Sequence, residues 1–288
     1  MKIKADKFRV RGGDKPDLGK LPTLVRPFYE SNAHYEELLE RDLDRMRKLQ
    51  DRLYASNKYS LLLVLQAMDA AGKDGIIKHV MSGVNPQGCQ VFSFKHPSEE
   101  ELDHDFLWRA ARNLPERGRI GIFNRSYYEE VLIVRVHPPI LRAQNLPDLP
   151  ADPGKVWKGR YRSIAGLESH LHRNGTRVVK VFLHLSKEEQ KKRFLARMDD
   201  PAKNWKFTRS DIEERGYWKD YARAYEDCMA ATSTKDSPWY VVPADDKQNA
   251  RLIVSRVVLD TLADLGLEYP KLDARQEKEL AGFRKLLK

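Results

Sequence analysis

The chain has 288 residues, 41% of them hydrophobic, which is enough for a sizeable buried core in one large domain or two small ones. No apolar run approaches the roughly 18 residues that a membrane span needs, and the basic N-terminus leads into no apolar segment, so neither membrane insertion nor export is indicated. With 52 Lys and Arg against 42 Asp and Glu, the formal charge is +10. This charge favours a phosphorylated or polyanionic partner, with nucleic acid among the candidates, although a cationic excess can also serve solubility alone.

The first elements are an extended arm and a helix. Glycines, prolines and scattered basic residues without periodicity predict an arm over residues 1–33 that wraps the domain. From His34 to Ser56, apolar residues recur at steps of three, four or seven, which predicts an amphipathic helix. The only cysteines, Cys89 and Cys228, are far apart and form no zinc or redox motif, so a reducing cytoplasm is expected.

Short apolar runs separated by helical patterns follow. They predict five strands, over residues 60–66, 89–94, 119–124, 177–185 and 239–244. Runs that are apolar on both faces suit a buried parallel sheet, and the right-handed crossover rule makes it doubly wound, with ligands at the carboxyl ends of the strands. The proline-rich segment 137–158 is interpreted as an excursion from this alternation.

The loop after the first of these strands carries the clearest functional signal. LLLVLQAMDAAGKDGIIKHV, residues 61–80, predicts a strand, a tight turn with Gly72-Lys73, and a helix, which is the context of a phosphate-binding loop. An ordinary αβ turn is the alternative. Ala67 replaces the usual first glycine, and Asp74 replaces the Ser or Thr that normally holds Mg²⁺.

The two aspartates of this loop are interpreted differently. Asp69 lies where bound phosphates would be repelled by a bare carboxylate, so it is predicted to hold a divalent cation or to orient the attacking phosphate, with structural capping as the alternative. Asp74, in the first helical turn, complements the helix dipole.

The strand predicted over 119–124 ends in a second set of polar residues. In phosphoryl-transfer enzymes of this layout a strand often ends in a carboxylate that helps to hold Mg²⁺, whereas here Asn124 stands at the end, followed by Arg125 and Ser126. Arg125 can grip a phosphate and Ser126 can cap the next helix. Glu129 either restores the missing negative charge near the metal or, with Glu130, complements the helix dipole.

A basic segment over residues 191–215 follows the fourth predicted strand. Arg193 and Arg197 share a helix face, and Lys203 and Lys206 follow near Trp205 and Phe207. A solvated helical face explains most such charge runs, but P-loop kinases place a mobile lid at this position. The aromatics could stack on a base or pack the hinge.

Four motifs taken together resemble the polyphosphate kinase 2 family: AMDAAGKDG, IFNRSYYEEV, RF..R.DDP.K.WKF...D and PADDK...R, in the family's order over roughly residues 55–265. The resemblance implies an α/β P-loop kinase fold related to thymidylate kinase. It predicts a single domain over residues 1–288, with a five-stranded parallel sheet flanked by helices and a helical lid over 191–213. It also implies inorganic polyphosphate as phosphoryl donor or acceptor, a nucleotide as the other substrate, and Mg²⁺ or Mn²⁺ as cofactor.

The resemblance also implies residue roles. Asp69, Lys73 and Arg125 are the predicted catalytic residues. Asn124 departs from members that carry an acid there and, with Glu129, is similar to the subgroup called class III, which phosphorylates nucleoside mono- and diphosphates. Asn124 and Glu129 are therefore predicted to bind nucleotide, and Asp69 and Glu129 the metal. The predicted phosphate- or polyphosphate-binding residues are Ala70, Ala71, Gly72, Lys73, Asp74, Lys78, Arg125, Arg135, Arg193, Arg197, Lys203 and Lys206.

The predicted reaction is reversible transfer of the terminal phosphoryl of polyphosphate to AMP and ADP, giving ADP and ATP. His79 and His137 lack motif support as nucleophiles, so no phosphohistidine is expected. The alternatives are an ATP-dependent nucleoside monophosphate kinase, which would carry Ser or Thr at position 74, and a non-enzymatic polyanion-binding protein. By resemblance the protein is a homo-oligomer, a dimer or tetramer, with neither nucleic acid nor membrane as partner; segments 137–158 and 271–288 are candidate contact regions.

Overall fold

The computed structural model describes residues 3–147 and 149–287, so the predictions for Met1, Lys2, Asp148 and Lys288 lie outside the described residues. The α-helices in these ranges are α1 (Asn32–Ser56), α2 (Lys73–Val80), α3 (Glu99–Leu102), α4 (Trp108–Ala111), α5 (Ile133–Val136), α6 (Pro138–Ala143), α7 (Pro153–Arg173), α8 (Lys187–Met198), α9 (Arg209–Gly216), α10 (Trp218–Thr232), α11 (Lys247–Ala263) and α12 (Ala274–Leu286). Short 3₁₀ helices cover Ala5–Phe8, Pro86–Gly88, Tyr127–Val131 and Asn204–Lys206.

The sheet contains six strands, one more than the sequence predicts. They are β1 (Arg9–Val10), β2 (Ser60–Ala67), β3 (Cys89–Ser93), β4 (Ile120–Asn124), β5 (Thr176–His184) and β6 (Trp239–Pro243), in the spatial order β1-β6-β5-β2-β4-β3. The five predicted strands are all present and mutually parallel, which confirms the α/β class. The prediction of five strands is wrong because the N-terminal arm adds β1 antiparallel to β6. Two residues are too few to show an alternating pattern.

The strand order places the ends of the central strands together. Leu65 of β2 pairs with Asn124 of β4, and Ala67 pairs with Leu183 of β5. The loops that leave β2, β4 and β5 therefore emerge side by side at one edge of the sheet, as expected for ligand sites in doubly wound folds.

Helices cover both faces of the sheet, which is why its central strands are apolar on both sides. One core cluster joins alternate residues of β2 and β5 to α1, α2 and α11. The other cluster joins the intervening residues to α7 and α10. The long helix predicted from residue 34 begins two residues earlier, because Ser31 accepts the backbone N–H of His34 at 3.1 Å and caps it.

The peripheral segments are partly helical. Within the excursion predicted over 137–158, residues 138–143 form α6, and α7 starts at Pro153 after an Asp152 cap. At the other end of the chain, α12 has no buried residue. Across the described residues, no helix combines the length and the apolar character required to cross a bilayer.

Candidate active site

The loop between β2 and α2 has the conformation of an anion-binding turn. Ala70 and Gly72 adopt left-handed φ values of 62° and 107°, and the Gly72 conformation is one that side chains rarely tolerate. In the described part of the chain no side chain caps the start of α2. The first amides of the helix therefore remain available to an anion, at the positive end of the helix dipole.

Lys73 lies at the base of this loop, in the first turn of α2. Its Nζ donates to the Ala67 carbonyl at 3.0 Å, which folds the side chain back toward the end of β2. Burial lowers the pKa of Lys73, and the carboxylate of Asp69 opposes that effect. The ammonium is thus a desolvated cation, which interacts with a bound phosphate more strongly than a hydrated one would.

Asp69 and Arg125 meet across the loop. The guanidinium Nη2 of Arg125 donates to Asp69 Oδ1 at 3.1 Å, and both side chains stay partly exposed, at 41% and 34%. Burial alone would lower the pKa of Arg125, but the carboxylates of Glu129 and Asp69 outweigh it and raise the pKa. Arg125 has φ of 62°, so its backbone turns sharply after β4. The turn brings the β4 end to the phosphate loop, as the sequence predicts.

Asn124 and Glu129 make different contacts. Asn124 Nδ2 donates to Asp74 Oδ1 at 2.9 Å and ties the end of β4 to the first turn of α2. Glu129 accepts a hydrogen bond from Gln66 Nε2 at 2.9 Å, beneath the loop. Its carboxylate also helps to raise the pKa of Arg125.

A cavity of about 1110 Å³ opens above these residues. Ten Lys and Arg but only three Asp and Glu line it, so the cavity is strongly cationic. The basic residues are Lys73, Lys95, Arg125, Lys192, Arg193, Arg197, Lys203, Lys206, Lys247 and Arg251, and the acidic ones are Asp69, Asp74 and Glu189.

The structure brings together twelve of the fifteen predicted site residues. Those that line the cavity are Asp69, Ala70, Ala71, Gly72, Lys73, Asp74, Asn124, Arg125, Arg193, Arg197, Lys203 and Lys206. Lys78, Glu129 and Arg135 do not line it. Lys78 is exposed in the last turn of α2, and Arg135 donates to the Tyr161 hydroxyl at 2.8 Å and to Asp227 at 2.6 Å. Arg135 is therefore committed to a contact on the α7 and α10 side.

The two predicted lid arginines differ although they share a helix. Arg197 lines the cavity, its guanidinium 5.7 Å from the Phe194 ring, and no carboxylate of the described residues pairs with it. Arg193 is buried, with 8% of its surface exposed, and donates to four backbone carbonyls and to Glu189. All five N–H groups of Arg193 are engaged by protein acceptors, so its predicted contact with phosphate has no free donor in this conformation.

The two aromatic residues of the basic segment, Trp205 and Phe207, also differ in their surroundings. Phe207 packs edge-on against Phe194 at 5.3 Å, which fixes the segment to α8. Trp205 is 72% exposed, beside Lys206 at the rim of the cavity. Of these two aromatic residues, Phe207 therefore packs against a neighbouring helix, whereas the Trp205 ring is left exposed.

Sequence reasoning missed several cavity residues. Lys95 lies two residues after β3, while Lys247 and Arg251 lie in the first turns of α11, after β6. The rule that ligands bind beyond the carboxyl ends of parallel strands could have indicated all three, since each follows a predicted strand. Lys192, on the exposed side of α8, gave no such signal.

The donor set fits a divalent cation held jointly with substrate phosphates. Within residues 3–147 and 149–287 no group of three or more His, Cys, Asp or Glu is arranged to hold a metal ion. Mg²⁺, however, is commonly bound by one or two carboxylates together with substrate phosphates and water. Asp69 supplies one such carboxylate, and its Oδ2 accepts no hydrogen bond from the described residues.

Comparison with known proteins agrees with this geometry. A family model described as polyphosphate kinase 2 (PPK2) matches residues 29–268. An ADP-polyphosphate phosphotransferase of Rhodopseudomonas palustris is 63% identical over 287 residues, covering 100% of this chain and 99% of that protein. An AMP/ADP-polyphosphate phosphotransferase of Meiothermus ruber is 45% identical over 234 residues, covering 81% of this chain and 83% of that protein.

A solved structure is similar over nearly the whole chain. The crystal structure of polyphosphate kinase 2 from Arthrobacter aurescens matches with a TM-score of 0.85 and 43% identity, covering 96% of this chain and 95% of the other. The family model spans most of the sequence and includes the phosphate loop, the end of β4 and the basic segment after β5. This chain belongs to the polyphosphate kinase 2 family.

Proposed function

We propose that this protein transfers the terminal phosphoryl of inorganic polyphosphate to AMP and ADP, giving ADP and ATP, and catalyses the reverse reaction. The observation that carries the proposal is the cationic cavity around the β2–α2 loop, with ten basic side chains against three acidic ones. A polyanion with about one charge per phosphate would bind there by releasing counterions, as nucleic-acid backbones do on proteins. Asp74, in place of the usual Ser or Thr, sets this loop apart from those built around a nucleoside triphosphate.

The residues of the site have separable roles. Lys73 and the loop amides bind the reacting phosphate and hold it in line with the acceptor oxygen. Arg125 and Arg197 line the cavity, and we propose that they stabilise the negative charge that develops on the equatorial oxygens of the transferred group. Asp69 would hold Mg²⁺ or Mn²⁺, which when bound neutralises charge on the phosphates.

The choice of acceptor is the finer part of the proposal. The R. palustris relative is named for ADP, and the M. ruber relative for both AMP and ADP. Asn124 and Glu129 are the residues that suggest the dual acceptor. Asn124 puts a neutral amide, in place of the carboxylate of other members, at the end of β4, where it donates to Asp74, while Glu129 accepts from Gln66.

A nucleotide assay tests the proposal. Purified protein is incubated with Mg²⁺ and polyphosphate, and given AMP in one tube and ADP in another, with products separated by ion exchange. ATP in both tubes, abolished by EDTA and by Lys73→Ala, is the expected result. ATP from ADP alone would refute the dual acceptor and keep the donor. Transfer from ATP to AMP without use of polyphosphate would instead establish the ordinary nucleoside monophosphate kinase.

A different variant tests the alternative that the protein only binds polyanions and transfers no phosphoryl group. A carboxylate among phosphates is unfavourable for pure anion binding, so Asp69→Asn would spare or strengthen binding in such a protein, which would show no transfer. For an enzyme we expect Asp69→Asn to lower kcat by about 100-fold or more while polyphosphate binding is retained. Fluorescence anisotropy of labelled polyphosphate, read beside the nucleotide assay, separates the two functions.

The cellular setting is proposed on less specific grounds. Both cysteines are free, and Cys228 is buried, which suits a reducing cytoplasm. A dimer or tetramer is implied by the family resemblance, and light scattering at several protein concentrations tests it.

A further inference from the structure

Three consecutive carbonyls of the phosphate loop are held by two side chains of α8. Gln190 Nε2 donates to the Asp69 carbonyl at 3.0 Å. Arg193 Nη1 donates to the carbonyls of Ala70 and Ala71, at 3.1 and 2.9 Å. Three successive peptide groups of the loop are therefore turned with their oxygens toward α8.

This orientation determines where the loop amides point. In a trans peptide the carbonyl of one residue and the N–H of the next point in opposite directions. Because the carbonyls face α8, the N–H groups of Ala70, Ala71 and Gly72 face away from it. The Ala71 N–H closes a long 3.4 Å turn contact with the Met68 carbonyl. Those of Ala70 and Gly72 have no acceptor among the residues described, and both residues line the cavity.

Arg193 also fixes the loop to the rest of the fold. Its Nη2 donates to the carbonyls of Ala244 and Asp245, at 2.7 and 3.0 Å, just after β6. Its Nε donates to Glu189 at 2.9 Å. The guanidinium thus joins the phosphate loop, the β6–α11 loop and α8, and a lysine in its place has too few donors, in the wrong geometry, to make all five contacts.

A second contact continues this network to α9, at the end of the basic segment over residues 191–215. Arg215 of α9 donates from Nη1 to Gln190 Oε1 at 2.9 Å and to the Lys187 carbonyl at 2.7 Å. Gln190 in turn donates to the Asp69 carbonyl. The series Arg215, Gln190, Asp69 therefore connects α9 to the phosphate loop through two hydrogen bonds.

We propose that Arg193 and Gln190 are positioning residues, which aim the amides of the phosphate loop at the transferred phosphoryl, and that Arg215 couples this alignment to α9. This inference rests on the proposed function for the identity of the phosphate donor. It assigns Arg193 a role different from that of Arg197, which the sequence groups with it as a lid ligand. Arg193 acts on the loop backbone, whereas Arg197 faces the cavity.

The first experiment separates positioning from phosphate binding. For Arg193→Lys we expect kcat to fall by about 100-fold and the KM for polyphosphate to change by less than about threefold. Misaligned amides would lose hydrogen bonds to the phosphoryl group mainly in the transition state. For Arg197→Gln, the matched variant on the same helix, we expect the KM for polyphosphate to rise together with a fall in kcat, because Arg197 is proposed to contact the phosphates themselves in the bound state and in the transition state. An Arg193→Lys enzyme with wild-type kcat and a raised KM would overturn the proposal and make Arg193 a phosphate ligand.

The second experiment tests the coupling to α9. We expect Gln190→Met to lower kcat about tenfold and Arg215→Met to lower it less. Because both act through one hydrogen bond to the loop, the double variant should be no slower than Gln190→Met alone. Arg209→Met is the control, since Arg209 is exposed on α9 and pairs only with Glu213 among the described residues. Multiplicative effects in the double variant would disprove the relay.

A spectroscopic measurement tests the inference whichever molecule donates the phosphoryl group. In protein labelled at Gly and Ala, the amide signals of Ala70 and Gly72 should shift when tripolyphosphate is added. These shifts should shrink in Arg193→Lys and Gln190→Met and persist in Arg197→Gln at saturating ligand. Unchanged shifts in both positioning variants would overturn the inference. If the wild type uses ATP instead of polyphosphate, the kinetic comparison is made with ATP, so the proposed function would fail separately from the positioning role.

Discussion

Lys180 lies fully buried in the middle of β5, between apolar neighbours. Its ammonium donates to Glu168 and to the Thr232 carbonyl. The hydroxyls of Tyr127 and Tyr128 donate to the other oxygen of Glu168, at 2.9 and 2.8 Å. Burial lowers the pKa of Lys180, and Glu168 opposes that shift. These buried residues hold the turn that follows Arg125, so they support the site from the sheet face that α7 and α10 cover.

Replacing Lys180 by methionine should destabilise the protein strongly. The substitution leaves Glu168 charged, buried and without its cation, which typically costs about 3–5 kcal/mol in the free energy of unfolding. Urea denaturation measures the loss. The double variant Lys180→Met with Glu168→Gln should recover part of it, because the remaining amide is neutral. A loss below about 1 kcal/mol for Lys180→Met would show that the pair is not needed for stability.

The N-terminal arm supports the site from the β6 edge of the sheet. β1 extends the sheet, and the arm then crosses the start of α11. Thr23 Oγ1 donates to Asp245 at 2.7 Å, and the Tyr29 hydroxyl donates to Asp246 at 2.8 Å. Asp245 also offers its carbonyl to Arg193. The arm therefore helps to fix the loop on which the guanidinium of Arg193 is anchored.

Removal of one hydroxyl tests this contact. Tyr29→Phe keeps the ring and deletes the hydrogen bond to a carboxylate, so we expect the free energy of unfolding to fall by about 1.5–3 kcal/mol. Tyr54→Phe is the matched control, because Tyr54 is 52% exposed on α1. Equal effects of the two variants in urea denaturation would contradict a structural role for the arm contact.

The net charge of the protein, +10, is concentrated around the cavity. Ten of the basic side chains surround one cavity, so the surplus acts as a local field and not only as a solubilising surface. The residues that line this cavity come from strands, loops and helices that are far apart in sequence.

The affinity for polyphosphate should therefore depend steeply on salt. Contacts to three or more phosphates would give a plot of log(1/KM) against log[KCl] with a slope of about −2 or steeper. The KM for the nucleotide should respond less, because it places fewer phosphates in the cavity. A KM for polyphosphate that stays constant between about 50 and 200 mM KCl would argue against a multidentate cationic groove.

Stability should also depend on pH through His184 at the end of β5. Its Nε2 donates to the Leu21 carbonyl at 3.2 Å, and burial lowers its pKa below the ordinary value of 6.5. Near and below pH 6.5, the His184 imidazole binds a proton more readily in the unfolded chain than in the folded protein. The stability that neutral His184 contributes is therefore fully present above pH 6.5 and is lost as the pH falls from 6.5 through the lowered pKa of the folded protein.

A titration of unfolding measures this effect. Relative to His184→Gln, the wild type should lose up to about 1.4 kcal/mol per pH unit as the solution is acidified below neutrality. His170→Gln, at an exposed histidine of α7, should follow the wild type. A constant difference between wild type and His184→Gln would mean that His184 does not titrate differently on folding.

Sequence patterns alone predict the α/β class, the five parallel strands and the strand-turn-helix unit of β2 and α2 that carries Gly72-Lys73, all of which the structure contains. These features depend on local patterns: apolar runs, a helical period, and Gly-Lys at a strand-to-helix turn. The sequence also identified most cavity residues, because their motifs follow strand ends and parallel strands end at one edge.

The contacts of each polar side chain depend on how the elements pack together. A helical period shows that Arg193 and Arg197 share a face, but not that protein acceptors engage the N–H groups of Arg193 while Arg197, at the same cavity, pairs with no carboxylate of the described residues. In the same way, packing directed Arg135 to Asp227 and Glu129 to Gln66. It also paired a two-residue piece of the arm with β6. The partners in these contacts are far apart in sequence, and those that join β1 to β6 are more than 200 residues apart. No local sequence pattern therefore indicates these contacts.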